Sequence, residues 1–121
     1  MANRILLIDD DALVLRSLEK LLVLNGYGVD CASDYTGALL AIKKSNFNLI
    51  ISDIRIPGKN GTEIVKEIQS ALLACGKKEV PIIFITGYAG EDLRLNASFL
   101  GETMYKPIDV DKLLTIIRDY L

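Results

Sequence analysis

The chain contains no histidine. That absence excludes a histidine-based catalytic triad, a histidine-ligated zinc and any internal phosphohistidine. Whatever chemistry the protein performs must use carboxylates, hydroxyls and lysine. Cysteine is scarce. Cys31 and Cys75 stand alone in the sequence and read as small buried or half-buried hydrophobes. There is no basic excess either. With 14 Lys and Arg against 16 Asp and Glu the net charge is −2. That argues against nucleic acid or an anionic membrane as a direct partner, since both need a basic face. No apolar run approaches the roughly 18 residues of a membrane span. The N-terminal "MANRILLIDDD" has too short an apolar stretch and an acidic flank, so it is no signal peptide. The expected location is the cytoplasm.

What remains is an ordinary globular composition. The 121 residues fit one domain, and with 50% of them apolar the chain can build its own core. Residues 3–8, "NRILLI", are apolar on both faces, as in a parallel strand covered on both sides. A helix follows from Ala12 to Asn25, with Val14, Leu18, Leu21 and Leu22 at helical spacing and Asn25-Gly26 as its stop. A second strand (27–32) leads to Asp34, a cap for a helix running to Lys44 with Ala38, Ala41 and Ile42 inward. The third strand (47–53) ends in Asp53 and is followed by the turn-rich "IPGKNG". Next come a helix over 62–73, carrying Ile64, Val65, Ile68 and Leu72, and a fourth strand over 81–86. A short helix is predicted over 91–100. A fifth strand, "ETMY", precedes Lys106-Pro107. Asp109 caps a last helix with Leu113, Leu114, Ile117 and Leu121 on one stripe. Five repeats of strand then helix predict a doubly wound α/β sandwich on a five-stranded parallel sheet, with one domain filling residues 1–121.

The polar residues fall in one place on that plan. A parallel sheet gathers the carboxyl ends of its strands on one edge, where ligands bind. Strand one ends in Asp9-Asp10, strand three in Asp53, strand four in Thr86 and strand five in Lys106. Each alone is an ordinary strand-end cap, turn former or solvated lysine. Together they converge. The run "LLIDDDAL" is costly on its face, since two carboxylates roughly 5 Å apart repel by about 3 kcal/mol at an effective dielectric of about 20. Clustered carboxylates bind a hard divalent cation through oxygen, and the cation offsets that repulsion. An aspartate can also be a nucleophile forming an acyl phosphate. Lysine and threonine can hold the oxygens of a transferred group. The pattern points to phosphoryl transfer.

The motifs "LLIDDD", "SDIRIPGKNG", "IIFITGYA" and "YKPID" resemble, over essentially the whole chain, the receiver domain of two-component response regulators. The resemblance implies a flavodoxin-like (βα)5 three-layer sandwich. It implies that Asp53 is the phosphoacceptor, that Thr86 hydrogen-bonds one phosphoryl oxygen and that Lys106 pairs with another. The metal set it implies is Asp9, Asp10, Asp53 and the backbone carbonyl of Arg55, holding Mg²⁺ or Mn²⁺. Asp10 binds directly and Asp9 mainly through water. Pro57 and Gly61 fit the loop after Asp53, and the Lys106-Pro107 peptide is expected to be cis. The implied donor is a phosphohistidine on a partner histidine kinase or histidine phosphotransfer protein. The family also suggests a homodimer through the face of the fourth helix, fifth strand and fifth helix. Asp11 is outside the family's acidic pair and reads as the cap of the first helix. Arg55 and Tyr88, two residues beyond Asp53 and Thr86, flank the attacking water's path in this family and are expected to tune dephosphorylation.

The sequence departs from the family in one respect that bears on output. The usual switch aromatic, three residues before the lysine, is replaced by Thr103, and the aromatic here is Tyr105. Residues 103 and 105 point to the same side of a strand, so Tyr105 is a candidate substitute. A haloacid-dehalogenase-type phosphatase also uses D-x-D after its first strand, which Asp9-x-Asp11 meets, but it needs further acidic residues after its lysine and a longer core. A flavodoxin-like FMN binder needs a Ser/Thr/Gly phosphate loop where this chain has "DDDALV". A degenerate receiver serving only for dimerisation is opposed by the complete acidic set. The sequence stops after the last predicted helix, so the expectation is a stand-alone receiver or a piece of a longer regulator.

Overall fold

The computed structural model describes residues 3–54, 61–87 and 102–121. Five parallel strands, β1 (Arg4–Ile8), β2 (Gly28–Ala32), β3 (Leu49–Ser52), β4 (Ile82–Thr86) and β5 (Glu102–Tyr105), form one sheet in the order β2-β1-β3-β4-β5. Four helices are described, α1 (Ala12–Leu24), α2 (Tyr35–Lys44), α3 (Gly61–Ala74) and α4 (Val110–Tyr120). The helix expected over 91–100 lies outside the described residues, as do Arg55, Pro57 and Tyr88.

The unbroken apolar strands have a direct reason. Alternate residues feed two separate cores. Leu6, Ile8, Ile50, Ile82 and Phe84 pack with Ala38 and Ile42 of α2 and Ile64, Ile68 and Leu72 of α3. Ile5, Leu7, Leu49, Ile51, Ile83, Ile85 and Met104 pack with Leu15, Leu18 and Leu22 of α1 and Leu113 and Ile117 of α4. Each fully buried Ile or Leu contributes about 1.5–3 kcal/mol. In α1 the sequence misplaced the stripe slightly. Leu15 is buried, whereas Val14 and Leu21 line an apolar groove with Leu13, Ile108 and Val110. Leu121 lies at the exposed chain end rather than on the buried stripe.

Three aspartates start helices as expected. Asp11 accepts from the N–H groups of Leu13 (2.9 Å) and Val14 (3.4 Å), Asp34 from Gly37 (2.7 Å) and Asp109 from Lys112 (3.1 Å). Each satisfies donors that a helix start leaves unpaired. Two helices stop at a glycine with positive φ, Gly26 (+90°) after α1 and Gly76 (+72°) after α3, a backbone state that costs glycine little.

The cysteines correct the sequence reading, since Cys31 and Cys75 are both exposed. β2 is an edge strand, so Cys31 reaches solvent. There its thiol donates to a Glu19 carboxylate oxygen 3.4 Å away. Partial burial, Glu19 and Asp30 push that thiol up to about 12, which leaves it protonated and unreactive at neutral pH.

At the amino edge of the sheet, Lys77 reaches from the turn after α3 to the end of α2. Its Nζ donates to the carbonyls of Ile42 and of Ser45, the latter at 2.9 Å. Both acceptors belong to the last turn and cap of α2, where carbonyls lack intrahelical partners. Lys77→Met should therefore lower stability by about 1–2 kcal/mol. The check is urea unfolding, in which the midpoint should fall while the slope is preserved.

Candidate functional site

The strand order puts β1 and β3 side by side, with the chain running outward in opposite directions from them. Such a reversal opens a crevice beyond the carboxyl ends of the two strands. Asp9 follows β1 and Asp53 follows β3 across that crevice. Both are tied to the sheet by backbone bonds, from Asp9 N–H to the Ala32 carbonyl (3.1 Å) and from Asp53 N–H to the Ile8 carbonyl (2.9 Å). One carboxylate oxygen from each of Asp9, Asp10 and Asp53 falls within 4.8 Å of the other two. An all-oxygen set of this size suits a hard cation such as Mg²⁺ and offers no nitrogen or sulfur for zinc.

Asp9 and Asp53 are nearly buried, at 4% and 8% exposure, and Asp10 is exposed. Two neighbouring carboxylates at that depth need compensation. Lys106 supplies it. Its Nζ donates to Asp9 Oδ2 at 3.0 Å and to Asp53 Oδ2 at 3.2 Å. Burial alone lowers the Lys106 ammonium. The hydrogen bond to Asp9 and the fields of Asp53 and Asp9 outweigh it and hold the group above its usual value. Lys106 therefore stays cationic across the physiological range.

The roles within the acidic run separate. Asp9 Oδ1 accepts from the Asp11 N–H at 2.9 Å and Oδ2 from Lys106, so both of its oxygens are committed. Asp10 has no hydrogen bond or ion pair among the described residues. Asp11 is held by its helix.

Strands four and five complete the edge. Thr86 is buried, and its carbonyl accepts from the Lys106 N–H at 2.9 Å, which fixes the root of the lysine. The Lys106-Pro107 peptide is cis. In the sheet register Tyr105 stands opposite Thr86 and Thr103 opposite Phe84. The hydroxyl of Thr103 is buried without a hydrogen-bond partner.

The structure thus brings Asp9, Asp10, Asp53 and Lys106 together and places Thr86 at the end of the neighbouring strand. Arg55, the remaining residue of the expected set, is outside the described residues. One residue escaped the sequence reading. Ser52, fully buried, donates from its hydroxyl to the Asp53 carbonyl at 2.8 Å. The one available signal was a hydroxyl interrupting the apolar run "LIIS".

A doubly wound sheet whose crevice holds three carboxylates and a lysine defines a class of acidic-site α/β domain. The chain belongs to the response regulator receiver domain family, which it matches over residues 5–118. It is 33% identical to the transcriptional regulatory protein CrdR of Helicobacter pylori over 99% of its own length and 55% of that protein's. It is also 33% identical to the transcriptional regulatory protein FixJ of Bradyrhizobium diazoefficiens, over 96% of this chain and 55% of that one. The chain spans about half the length of these curated relatives. Among solved structures it is similar to a CheY-like response regulator receiver domain from Methanospirillum hungatei, with a TM-score of 0.84 and 30% identity over 98% of this chain and 93% of that one. It also resembles the signal receiver domain of an HD domain-containing protein from Pseudomonas fluorescens, with a TM-score of 0.86 and 26% identity over 99% and 94% of the two chains. Receiver domains are signalling proteins of two-component systems rather than turnover enzymes. Family membership sets aside the phosphatase and FMN-binding alternatives. Among the described residues no helix is long and apolar enough to cross a membrane.

Proposed function

We propose that residues 1–121 form one receiver domain that takes a phosphoryl group onto Asp53 from a phosphohistidine of a partner histidine kinase or phosphotransfer protein, in the cytoplasm and with Mg²⁺. The observation that carries this reading is the pairing of one ammonium, Lys106, with both Asp9 and Asp53 beside the outward Asp10. It is a cation-balanced carboxylate held at the mouth of a crevice.

The residues divide the work. Asp53 supplies the attacking carboxylate oxygen, and a P–O bond forms there as the donor's P–N bond breaks and the imidazole nitrogen departs. Asp9, Asp10 and Asp53 would hold Mg²⁺, with the Arg55 carbonyl as the further ligand. Bound Mg²⁺ supplies the positive charge that lets an anionic phosphoryl group approach three carboxylates. Lys106 pairs with one phosphoryl oxygen and the Thr86 hydroxyl donates to another. Arg55 and Tyr88 tune the lifetime of the product. With a net charge of −2, any DNA contact comes from elsewhere.

The response to phosphorylation runs through Tyr105, which stands opposite Thr86 where Thr103 has displaced the usual aromatic. Adding beryllofluoride, a phosphoryl mimic, with Mg²⁺ should produce the largest tyrosine ring shift in NMR spectra at Tyr105. Unmoved Tyr105 signals would remove it from the relay. The overall reading is tested by incubation with Mg²⁺ and acetyl phosphate followed by intact-mass measurement. A gain of about 80 Da, one HPO₃, is required.

A further inference from the structure

The deepest polar side chain next to the site belongs to Ser52, which lies outside the ligand set. Its side chain is 0% exposed. It pairs in register with Ile8 on one side and Phe84 on the other. Paired residues in a parallel sheet share a face, so Ser52 points into the core beneath α2 and α3 and cannot itself meet a phosphoryl group. A buried hydroxyl in apolar surroundings is costly without a partner. It finds the carbonyl of the next residue, Asp53, at 2.8 Å.

That bond has a geometric effect. The described pairing of β3 ends at Ser52, opposite Ile8 and Phe84, so the Asp53 carbonyl lies beyond the ladder. The peptide before Asp53 is held by its N–H on the Ile8 carbonyl at 2.9 Å. The peptide after it is held by the Ser52 hydroxyl. With both flanking peptides fixed, φ and ψ of Asp53 are fixed, and with them the direction of its Cα–Cβ bond.

We propose that Ser52 is a positioning residue that aims the Asp53 carboxylate for in-line attack. The inference rests on the reading of Asp53 as the phosphoacceptor. Ser52 acts from the core through the backbone and touches no reacting atom.

The test compares wild type with Ser52→Ala and with the isosteric pair Ser52→Thr and Ser52→Val. The last two share shape and any crowding and differ in the hydroxyl. Phosphorylation by acetyl phosphate with Mg²⁺ is followed by intact mass over a range of donor concentrations, well below each variant's melting temperature. Misaimed reactive groups lose roughly one to two orders of magnitude in rate. The maximal rate of Ser52→Ala and Ser52→Val should fall about tenfold, with the half-saturating donor concentration unchanged. Ser52→Thr should recover most of the loss. Equal rates for the threonine and valine variants overturn the proposal, as do rates that follow melting temperature rather than the hydroxyl. A wild type that gains no mass at all overturns the phosphoacceptor reading beneath it, and the proposal with it.

Discussion

Asp53→Asn should end phosphorylation altogether, with no mass gain from acetyl phosphate even after prolonged incubation with Mg²⁺. The side chain keeps its size but loses the anionic oxygen that the proposed function assigns as the nucleophile. An amide also cannot hold a cation as a carboxylate does. Mg²⁺ affinity should drop at least about tenfold, the least that disturbing a metal's ligand environment usually costs. The fold should survive. The substituted residue retains the N–H bond to Ile8 and the carbonyl bond to Ser52, since both use its backbone. Removing one of three crowded carboxylates also relieves repulsion, while Lys106 retains Asp9. The variant should therefore melt at or slightly above the wild-type temperature without Mg²⁺. A mass gain that persists would place the phosphoryl group on another residue.

Lys106→Met should have the second-largest effect, and its signature is a different response to Mg²⁺. Lys106 is the cation paired with both Asp9 and Asp53. Without it, two nearly buried carboxylates face each other uncompensated. Breaking a buried pair from one side costs about 3–5 kcal/mol. Because the lysine side chain is itself 25% exposed, water returns part of that, and a loss of about 1–3 kcal/mol is expected without metal. The sign with pH is fixed. The folded state holds the ammonium above its usual value, so its contribution is complete below the unfolded lysine value and lost as pH rises through the folded one. Near pH 7 wild type thus retains all of it and the variant none. With Mg²⁺ present the gap narrows, since the carboxylates no longer share their charge with an ammonium. Mg²⁺ should raise the melting temperature more in the variant than in wild type, and calorimetric titration should give a tighter Kd. Phosphorylation should nevertheless slow by about 10²-fold, since an oxygen-stabilising cation is lost. An identical Mg²⁺ response in the two proteins would refute this account of Lys106.

Much of this was legible in the sequence because two different periodicities carried it. Doubly apolar strands such as "RILLI" occur where both sheet faces are covered, and three of them among five strands alternating with 3.6-residue stripes leave few topologies. The capping aspartates Asp11, Asp34 and Asp109 were equally readable, because a cap is a local hydrogen bond to N–H groups two or three residues ahead. What the sequence could not show depends on neighbours distant along the chain. Leu15 is buried while Val14 and Leu21 are half-buried at the margin of the α1 core, because the angle at which a helix sits on a sheet comes from packing. Cys31 is exposed because β2 is at the sheet's edge, and strand order is not written in any one strand. The Lys106 bridge joins residues separated by 97 and 53 positions; the sequence placed all three on one edge but could not say that one ammonium would touch both carboxylates. Ser52 was passed over because its partner is a backbone carbonyl, which has no letter.

The Lys77 strut has a bearing on how a signal could leave the crevice. It fastens the turn after α3 to the last turn of α2 at the end of the sandwich farthest from Asp53. Those two helices are thereby clamped at their heels, while their first turns lie on the side of Asp53. A pair of rods joined at one end can only splay or close at the other. With that corner anchored, a push at the crevice would meet a hinge rather than two independent helices, and would be expected to tilt them rather than slide them along their axes.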